Sequence, residues 1–385
     1  MPASTSPKSV FQEICAREEA PVRDLARTLG LRLSTLEGKL RQLQQKGLIE
    51  FRDGRKRVAL NAGSGYVVGI DLGGSHLHFA LADFRGEIVR DSNIKIRPED
   101  GPQKMIAQMK GGIRELAVQA GPAVHGRLRA LAMSVPSPVD VEHGVVTWAN
   151  NLPGWSKISL GHEMEKEFRV PVFLENDANM AATGEHWRGV ARGLSDFVFV
   201  AIGTGIGSGV FANGKLVRGR TGSAGELFRM NLDWTRWGED FGDTGYFESY
   251  VAGLGISAEG RKALGAPAAG EAASLVRERD AFFVFEAFRQ GHPAARQVLE
   301  KIFTMLGVGL GNVVAVLDPD LIVLGGGIAK GAPEFMLETV QKVVRTMHKE
   351  MAPPVKLSAL EDKAQTYGAI FSALTVAREA IARRL

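Results

Sequence analysis

The sequence predicts an α/β protein: a glycine-rich body of two related halves, carried behind a small helical module that ends in a hairpin. Three observations predict it. The charge is local, since residues 1–62 hold 12 Lys and Arg against 7 Asp and Glu, a net +5, whereas the rest of the 385 residues sums to −1. Glycine is scarce before Asn61 and abundant after it. A strand, a glycine-rich turn and a returning strand occur near residue 70 and again near residue 203, the mark of an internal repeat. At roughly 100–200 residues per domain, the length agrees with two to four domains.

Composition narrows the function classes. Hydrophobic residues make up 45% and charged residues 23%, with a mean hydropathy of −0.03, as in an ordinary globular protein with a large core. No run approaches the roughly 18 uncharged apolar residues of a spanning helix, and the first twenty residues have no apolar segment between a basic end and a cleavage site. The expectation is a cytoplasmic protein with no membrane role. The single cysteine, Cys15, excludes an intrachain disulfide framework and a thiolate zinc site.

In the first 62 residues, Ser9 to Ala16 carries Val10, Phe11 and Ile14 at helical spacing. Pro21 opens a second short helix with Val22, Leu25 and Ala26 inward, ending at Gly30. Ser34 and Thr35 offer an N-cap for a third helix whose Leu36, Leu40 and Leu43 form the buried stripe, and Gly47 ends it. Leu48 to Leu60 reads as two strands joined at Asp53-Gly54. This is a winged helix-turn-helix pattern. Its third helix would present Ser34, Thr35, Glu37, Gly38, Arg41 and Gln42 to a major groove, and Arg52, Arg55, Lys56 and Arg57 of the wing would hold flanking phosphates. The alternative is a protein-interaction module with a solvated basic face.

Beyond residue 62, Tyr66–Leu72 is a strand, Gly73-Gly74-Ser75 a turn and His76–Asp83 a returning strand, followed after Arg85-Gly86 by a third strand. Phe197–Ile202, the turn Gly203-Thr204-Gly205-Ile206-Gly207, Ser208–Ala212, Asn213-Gly214 and Lys215–Arg218 repeat the layout. Each glycine-rich turn can bring backbone N–H groups to a phosphate. Asp71, at a strand end, suits a hydrated magnesium ion. Leu321–Leu324, followed by Gly325-Gly326-Gly327, would let an adenosine lie against the backbone ahead of a helix over residues 334–348.

Five segments in order carry a resemblance: Asp71-Leu72-Gly73-Gly74-Ser75, Glu175-Asn176-Asp177-Ala178-Asn179, Ile202 to Gly209, Gly219 to Glu226, and Leu324-Gly325-Gly326-Gly327. Residues 63–385 resemble the ROK family, which groups sugar kinases with sugar-responsive transcription regulators. The resemblance implies an actin/hexokinase-like fold of two subdomains with ribonuclease H-like halves. The expected domains are a winged helix-turn-helix over 1–62 and a kinase-like domain over 63–385. Residues 63–175 plus a C-terminal helix at about 369–385 make its first subdomain, and about 176–368 its second. The resemblance places the general base of the kinases on Asp177, a role that fits one carboxylate accepting a hydroxyl proton. It places pyranose contacts on Asn151, Asn176, Asp177, Glu226 and Glu248. ATP and Mg²⁺ are the cofactors it implies, through Asp71, Gly73, Gly74, Ser75, Gly203, Thr204, Gly205, Gly207 and Gly325 to Gly327.

Two departures from the family pattern matter. Where the family has a zinc-binding histidine that also touches the sugar, this chain has Phe228 and Arg229; where it has three cysteines, this chain has Glu239, Phe241 and Tyr246. No structural zinc is expected, and Phe241, Tyr246 and Phe247 are expected to fix the loop as an aromatic cluster. Arg229 either recruits an anionic ligand, a sugar phosphate or sugar acid, or pairs with Glu226, Glu239 or Glu248. The reading is therefore a sugar-responsive regulator that binds operator DNA and a carbohydrate or sugar-phosphate ligand and assembles as a homo-oligomer, a dimer or tetramer. The alternative is an ATP-dependent, glucokinase-like sugar kinase.

Overall fold

A computed structural model describes residues 6–122, 124, 126–149, 152–265 and 281–385. Helix α1 (Pro7–Arg17) follows Ser6, whose hydroxyl oxygen accepts the Ser9 N–H at 3.3 Å, and it buries Val10, Phe11 and Ile14. Strand β1 (Glu19–Pro21) leads into α2 (Val22–Leu29), which closes on Gly30 at φ +64°. Helix α3 (Leu33–Gln45) is buried through Leu36, Leu40 and Leu43. Ser34 and Thr35 do not cap it: the cap position is Arg32, without a side-chain bond, and both hydroxyl residues stand exposed in the first turn. Strands β2 (Ile49–Arg52) and β3 (Arg57–Leu60) form the expected hairpin, and β1 joins it in the order β1-β3-β2. A three-residue strand is too short to show a period, so sequence pattern does not reveal β1.

Strands β4 (Tyr66–Leu72), β5 (His76–Asp83) and β6 (Ile88–Lys95) are followed by α4 (Gly101–Gln119) and β7 (Leu128–Val135). A small antiparallel sheet of β8 (Val139–Asp140), β9 (Val145–Trp148) and β10 (Ser156–Ile158) precedes α5 (Leu160–Phe168) and β11 (Val172–Asn176). The main sheet runs β11-β7-β4-β5-β6, with β4, β7 and β11 parallel and β5 antiparallel to both of its neighbours, β4 and β6. Its core holds Phe79, Met105, Met109, Leu131, Met133 and Trp155.

The second half begins with α6 (Asp177–Arg188), then β12 (Phe197–Ile202), β13 (Ile206–Ala212) and β14 (Lys215–Val217). Helices α7 (Tyr246–Val251), α8 (Gly253–Leu264), α9 (Phe282–Arg289) and α10 (Pro293–Leu317) follow, then β15 (Leu321–Gly325), α11 (Pro333–His348), β16 (Val355–Leu357) and α12 (Ala364–Ala382). The sheet order is β14-β13-β12-β15-β16. Numbered within its own sheet, each half reads 3-2-1-4-5 with the same strand directions, so the repeat suggested by the glycine turns is a repeat of topology.

The chain divides into two compact units, one of residues 1–176 with 369–385 and one of 177–368. The helix-hairpin module shares the first unit with the first sheet. Arg85 ties the two through its Nε to Leu60 O (2.6 Å) and its Nη2 to Glu50 (2.6 Å). In the second unit, Gly184 and Gly368 let α6 and the start of α12 cross with backbones in contact, since a Cβ at either would run into a carbonyl of the other helix. Helix α10 is, among the described residues, the one helix long and apolar enough to cross a membrane. The expectation from runs of uncharged residues did not single it out. Leu299, Phe303, Leu306 and Leu310 are buried in the core of the second unit, and such a central helix is apolar on several faces.

Candidate functional site

In the first unit, parallel pairing sets Asp71 beside Ser134 and Asn176 beside Val135, so Asp71, Ser134 and Asn176 share the C-terminal edge of β4, β7 and β11. Open α/β sheets place their ligands at that edge. Asp71 is buried, and burial pushes its carboxyl above the usual range against the opposing pull of Ser134, His76 and His78. In the adjoining turn, Gly73 N–H donates to His76 O at 2.9 Å. A Cβ on Gly73 would come within 2.6 Å of the His76 ring, so an imidazole lies over the turn, a neighbour that turn composition alone does not reveal. Gly74 faces open space, and the Gly74 and Ser75 N–H groups have no partner among the described residues. Asn176 Nδ2 donates to Ser137 O at 3.4 Å. Asn151 lies outside the described residues.

The second unit gathers most of the remaining candidates. At the turn from β12 to β13, Gly203 N–H donates to Gly205 O (2.8 Å), and Ile206 N–H donates to Glu248 Oε2 (2.7 Å). A Cβ on Gly205 would stand 2.5 Å from that same oxygen, so this glycine makes room for Glu248. The Thr204 and Gly205 N–H groups have no partner among the described residues. Burial pushes the Glu248 carboxyl up to about 7, opposed by the Ile206 N–H and reinforced by the negative charge of Glu226. Glu226 is also raised by burial, with Arg229 opposing. A carboxyl that titrates near neutrality can donate to one sugar hydroxyl and accept from another. Ser208 Oγ donates to Gly225 O at 2.6 Å, fixing the backbone next to Glu226.

Helix α6 lies on β13 because Gly207 and Gly209 have no side chains: a Cβ at 207 would meet Ala178 at 3.1 Å, and one at 209 would meet Ala182 at 2.5 Å. This contact sets Asp177, the first residue of α6, next to the exit of the Gly203 turn. Asp177 Oδ1 accepts the Ala178 N–H at 2.8 Å. Gly325 pairs with Ala201 and makes room for Phe199, while Gly326, at φ +89°, lies against the Ile202 carbonyl. That carbonyl also accepts the Ile328 N–H at 3.0 Å. Gly327 meets nothing within 4 Å. The Gly203 and Gly326 turns are therefore neighbours at the ends of two parallel strands.

The loop expected to be fixed by Phe241, Tyr246 and Phe247 is built differently. Phe241 packs edge-on against Tyr246 (5.2 Å between centroids), and Tyr246 packs against Tyr250 (5.0 Å). Phe247 turns into the core, where Gly309 makes space for its ring. Arg236, absent from the sequence reading, holds the cluster. Its guanidinium lies over the Phe241, Tyr246 and Tyr250 rings at 5.0, 5.7 and 5.8 Å and bonds to Tyr250 Oη and both Glu239 carboxylate oxygens. Glu239 is thereby taken by Arg236 rather than Arg229. Arg229 is exposed, with its guanidinium 4.9 Å over the Phe228 ring. No group of three or more His, Cys, Asp or Glu positioned to hold a metal occurs among the described residues.

In the helix-hairpin module, Ser34, Thr35, Glu37, Gly38, Arg41 and Gln42 are all exposed on α3, with Arg41 and Glu37 3.9 Å apart. Arg32 and Leu33 at the helix start are exposed too; placing the N-cap two residues later hid them from the sequence reading. The wing cations divide into two classes. Arg52 and Arg57 are tied to Glu19 (2.7 and 2.6 Å), and Arg52 also to Glu50 (3.1 Å), an arrangement that holds the Glu19 carboxyl below the usual range, chiefly through Arg57. Arg55 and Lys56 are exposed at the tip, Arg55 lying 4.6 Å over Phe51. The pairing of Arg52 and Arg57 depends on β1, the strand invisible in the sequence.

Known proteins share this layout. The xylose repressor of Bacillus subtilis is 26% identical over 376 residues, 94% of this chain and 92% of its own. The glucokinase of Thermotoga maritima is 28% identical over 72% of this chain and 87% of its own. A solved ROK family transcriptional regulator, described as a homologue of the E. coli Mlc protein, superimposes with a TM-score of 0.80 over 98% of this chain and 97% of its own at 21% identity, which speaks to fold. The ROK family profile matches residues 67–376, so the chain belongs to the ROK family.

Proposed function

We propose that this chain is a sugar-responsive, DNA-binding transcriptional regulator. The observation that carries the reading is the exposed face of α3 beside a wing tip that keeps Arg55 and Lys56 exposed, in the same chain as two half-buried carboxylates, Glu226 and Glu248, whose charges act on each other. Residues 1–62 bind operator DNA. Residues 63–385 bind a carbohydrate through Asp177, Glu226 and Glu248, with Asn151 and Asn176 as further hydroxyl contacts. Polar groups arranged this way reward each matched hydroxyl and leave a buried group unpaired when one is missing. The exposed Arg229 is the residue that would admit a sugar phosphate or sugar acid. The relative named xylose repressor, aligned along nearly the whole chain, supports the reading. We further propose that the protein acts in the cytoplasm as a homo-oligomer. Selection of genomic fragments by the purified chain, repeated with a panel of neutral and acidic sugars, tests it: no selected site, or sites whose binding no sugar alters, overturns the regulator.

A second reading, an ATP-dependent sugar kinase, is favoured by the place of Asp177 beside the Gly203 turn. The residues fit a nucleotide. The N–H groups of Thr204 and Gly205, and separately those of Gly74 and Ser75, have no partner among the described residues, as phosphate oxygens require. Gly325 to Gly327 would receive the adenosine, and Asp71, whose burial disfavours its lone charge, would take hydrated Mg²⁺. ATP, when bound, would supply the phosphoryl group; this chain's part is to orient the sugar hydroxyl and accept its proton at Asp177. A coupled assay with ATP and hexoses decides between a sensor and a sensor that also turns over.

A further inference from the structure

Most large apolar side chains of this protein are buried, yet Trp234 and Trp237 are each 84% exposed. Exposed indoles in pairs mark a binding surface more often than single exposed apolar residues do. Their backbone is fixed. Trp234–Arg236 is one turn of 3₁₀ helix capped by Asp233, whose carboxylate accepts the Thr235 N–H at 3.0 Å and hydroxyl at 2.6 Å, and Trp237 continues the turn at φ −59°, ψ −27°. In that geometry side chains three residues apart eclipse, so the two indoles stand on one side of the turn, about 6 Å apart along its axis. Arg236 between them is turned inward onto Tyr246 and Tyr250. Those tyrosines lie on α7, the helix that also carries Glu248.

We propose that Trp234 and Trp237 form a stacking platform for a neutral oligosaccharide, so that the ligand is a chain of linked sugars rather than a single ring. The spacing is about the length of one pyranose unit, and each indole offers a flat face to the C–H side of a ring. The surrounding charges favour a neutral, hydroxyl-rich occupant. Asp233, Asp240 and Asp243 lie in the same segment, and the Arg236 guanidinium is already held by Glu239 and Tyr250, so the platform itself offers no uncommitted cation to a phosphate. The rigid turn keeps the ordering cost of binding low. The proposal rests on the carbohydrate reading and names the ligand class of that same region.

The test is titration calorimetry of the full chain with matched monosaccharides and neutral oligosaccharides of xylose, glucose and N-acetylglucosamine, with intrinsic fluorescence read in parallel. An oligosaccharide should bind about tenfold or more tighter than its monomer and shift the tryptophan emission. Trp234→Ala with Trp237→Ala should bring the affinity ratio near one, while Trp234→Phe with Trp237→Phe, which keeps flat faces, should retain part of the advantage. A ratio near one in the unmodified chain overturns the platform and leaves the carbohydrate reading standing; no binding of any sugar overturns both. If the Ala pair changes the sedimentation state but not the ratio, the two indoles belong to an interface between copies, and the proposal fails.

Discussion

The division of the wing into bound and unbound cations makes one prediction sharp. Arg55→Ala with Lys56→Ala removes two exposed charges that pair with no carboxylate among the described residues, whereas Arg52→Ala with Arg57→Ala removes two charges already committed to Glu19 and Glu50. Each phosphate contact contributes about 0.9 to the slope of log K against log salt, so the first pair should flatten it by about 1.8 per DNA-bound protomer. Between 50 and 200 mM salt, that difference makes the double variant lose about tenfold less affinity than the unmodified chain. The second pair should leave the slope nearly unchanged and instead lower the melting temperature, since Glu19 loses both guanidinium partners and β1 its side-chain ties to the hairpin, while Glu50 keeps Arg85. Fluorescence anisotropy on a selected operator at five salt concentrations, with thermal melts of both variants, measures this. An unchanged slope in the Arg55/Lys56 variant, or an equal fall in both, would refute the assignment.

Four further outcomes are expected. Asp177→Asn should lower turnover by about 10² to 10⁴ if the chain is a kinase, and in a pure sensor should alter only the sugar response, by coupled assay and operator binding respectively. Gly205→Ala sets a methyl 2.5 Å from Glu248 Oε2 and should weaken sugar binding in calorimetry; affinity equal to the unmodified chain would detach Glu248 from the ligand. The Glu248 carboxyl, raised from 4.5 to about 7, makes the folded state hold a proton that the unfolded state releases, so stability falls as pH rises from about 4.5 to 7. Glu248→Gln should flatten that stretch of the urea-midpoint profile, and an identical slope would exclude Glu248 as its source. Finally, elemental analysis of the washed protein should find no stoichiometric zinc, because the family's ligand positions hold Arg229, Glu239, Phe241 and Tyr246.

What the sequence determined by itself were the features written in local pattern. Periodic leucines set α3, Asp53-Gly54 set the hairpin, and alternating apolar residues around two glycine turns set β4–β5 and β12–β13, because side-chain direction follows backbone period without help from the rest of the chain. The five ordered motifs likewise identified the family before any coordinates. Only tertiary structure decided which neighbours those residues have. Three-residue β1 carries Glu19 to Arg52 and Arg57 across some thirty-five positions and so gives two of the expected phosphate-contacting cations a partner within the module. Gly205 reads in sequence as part of a phosphate turn and Gly326 as part of a seat for adenosine; the fold adds that one makes room for Glu248 and the other lies against the Ile202 carbonyl. The aromatic loop centres on Arg236 and Tyr250, with Phe247 in the core, because in a six-residue helix burial is decided by what packs on each side. Pairings between distant residues leave no local period in the chain, and that is why they appear only when it folds.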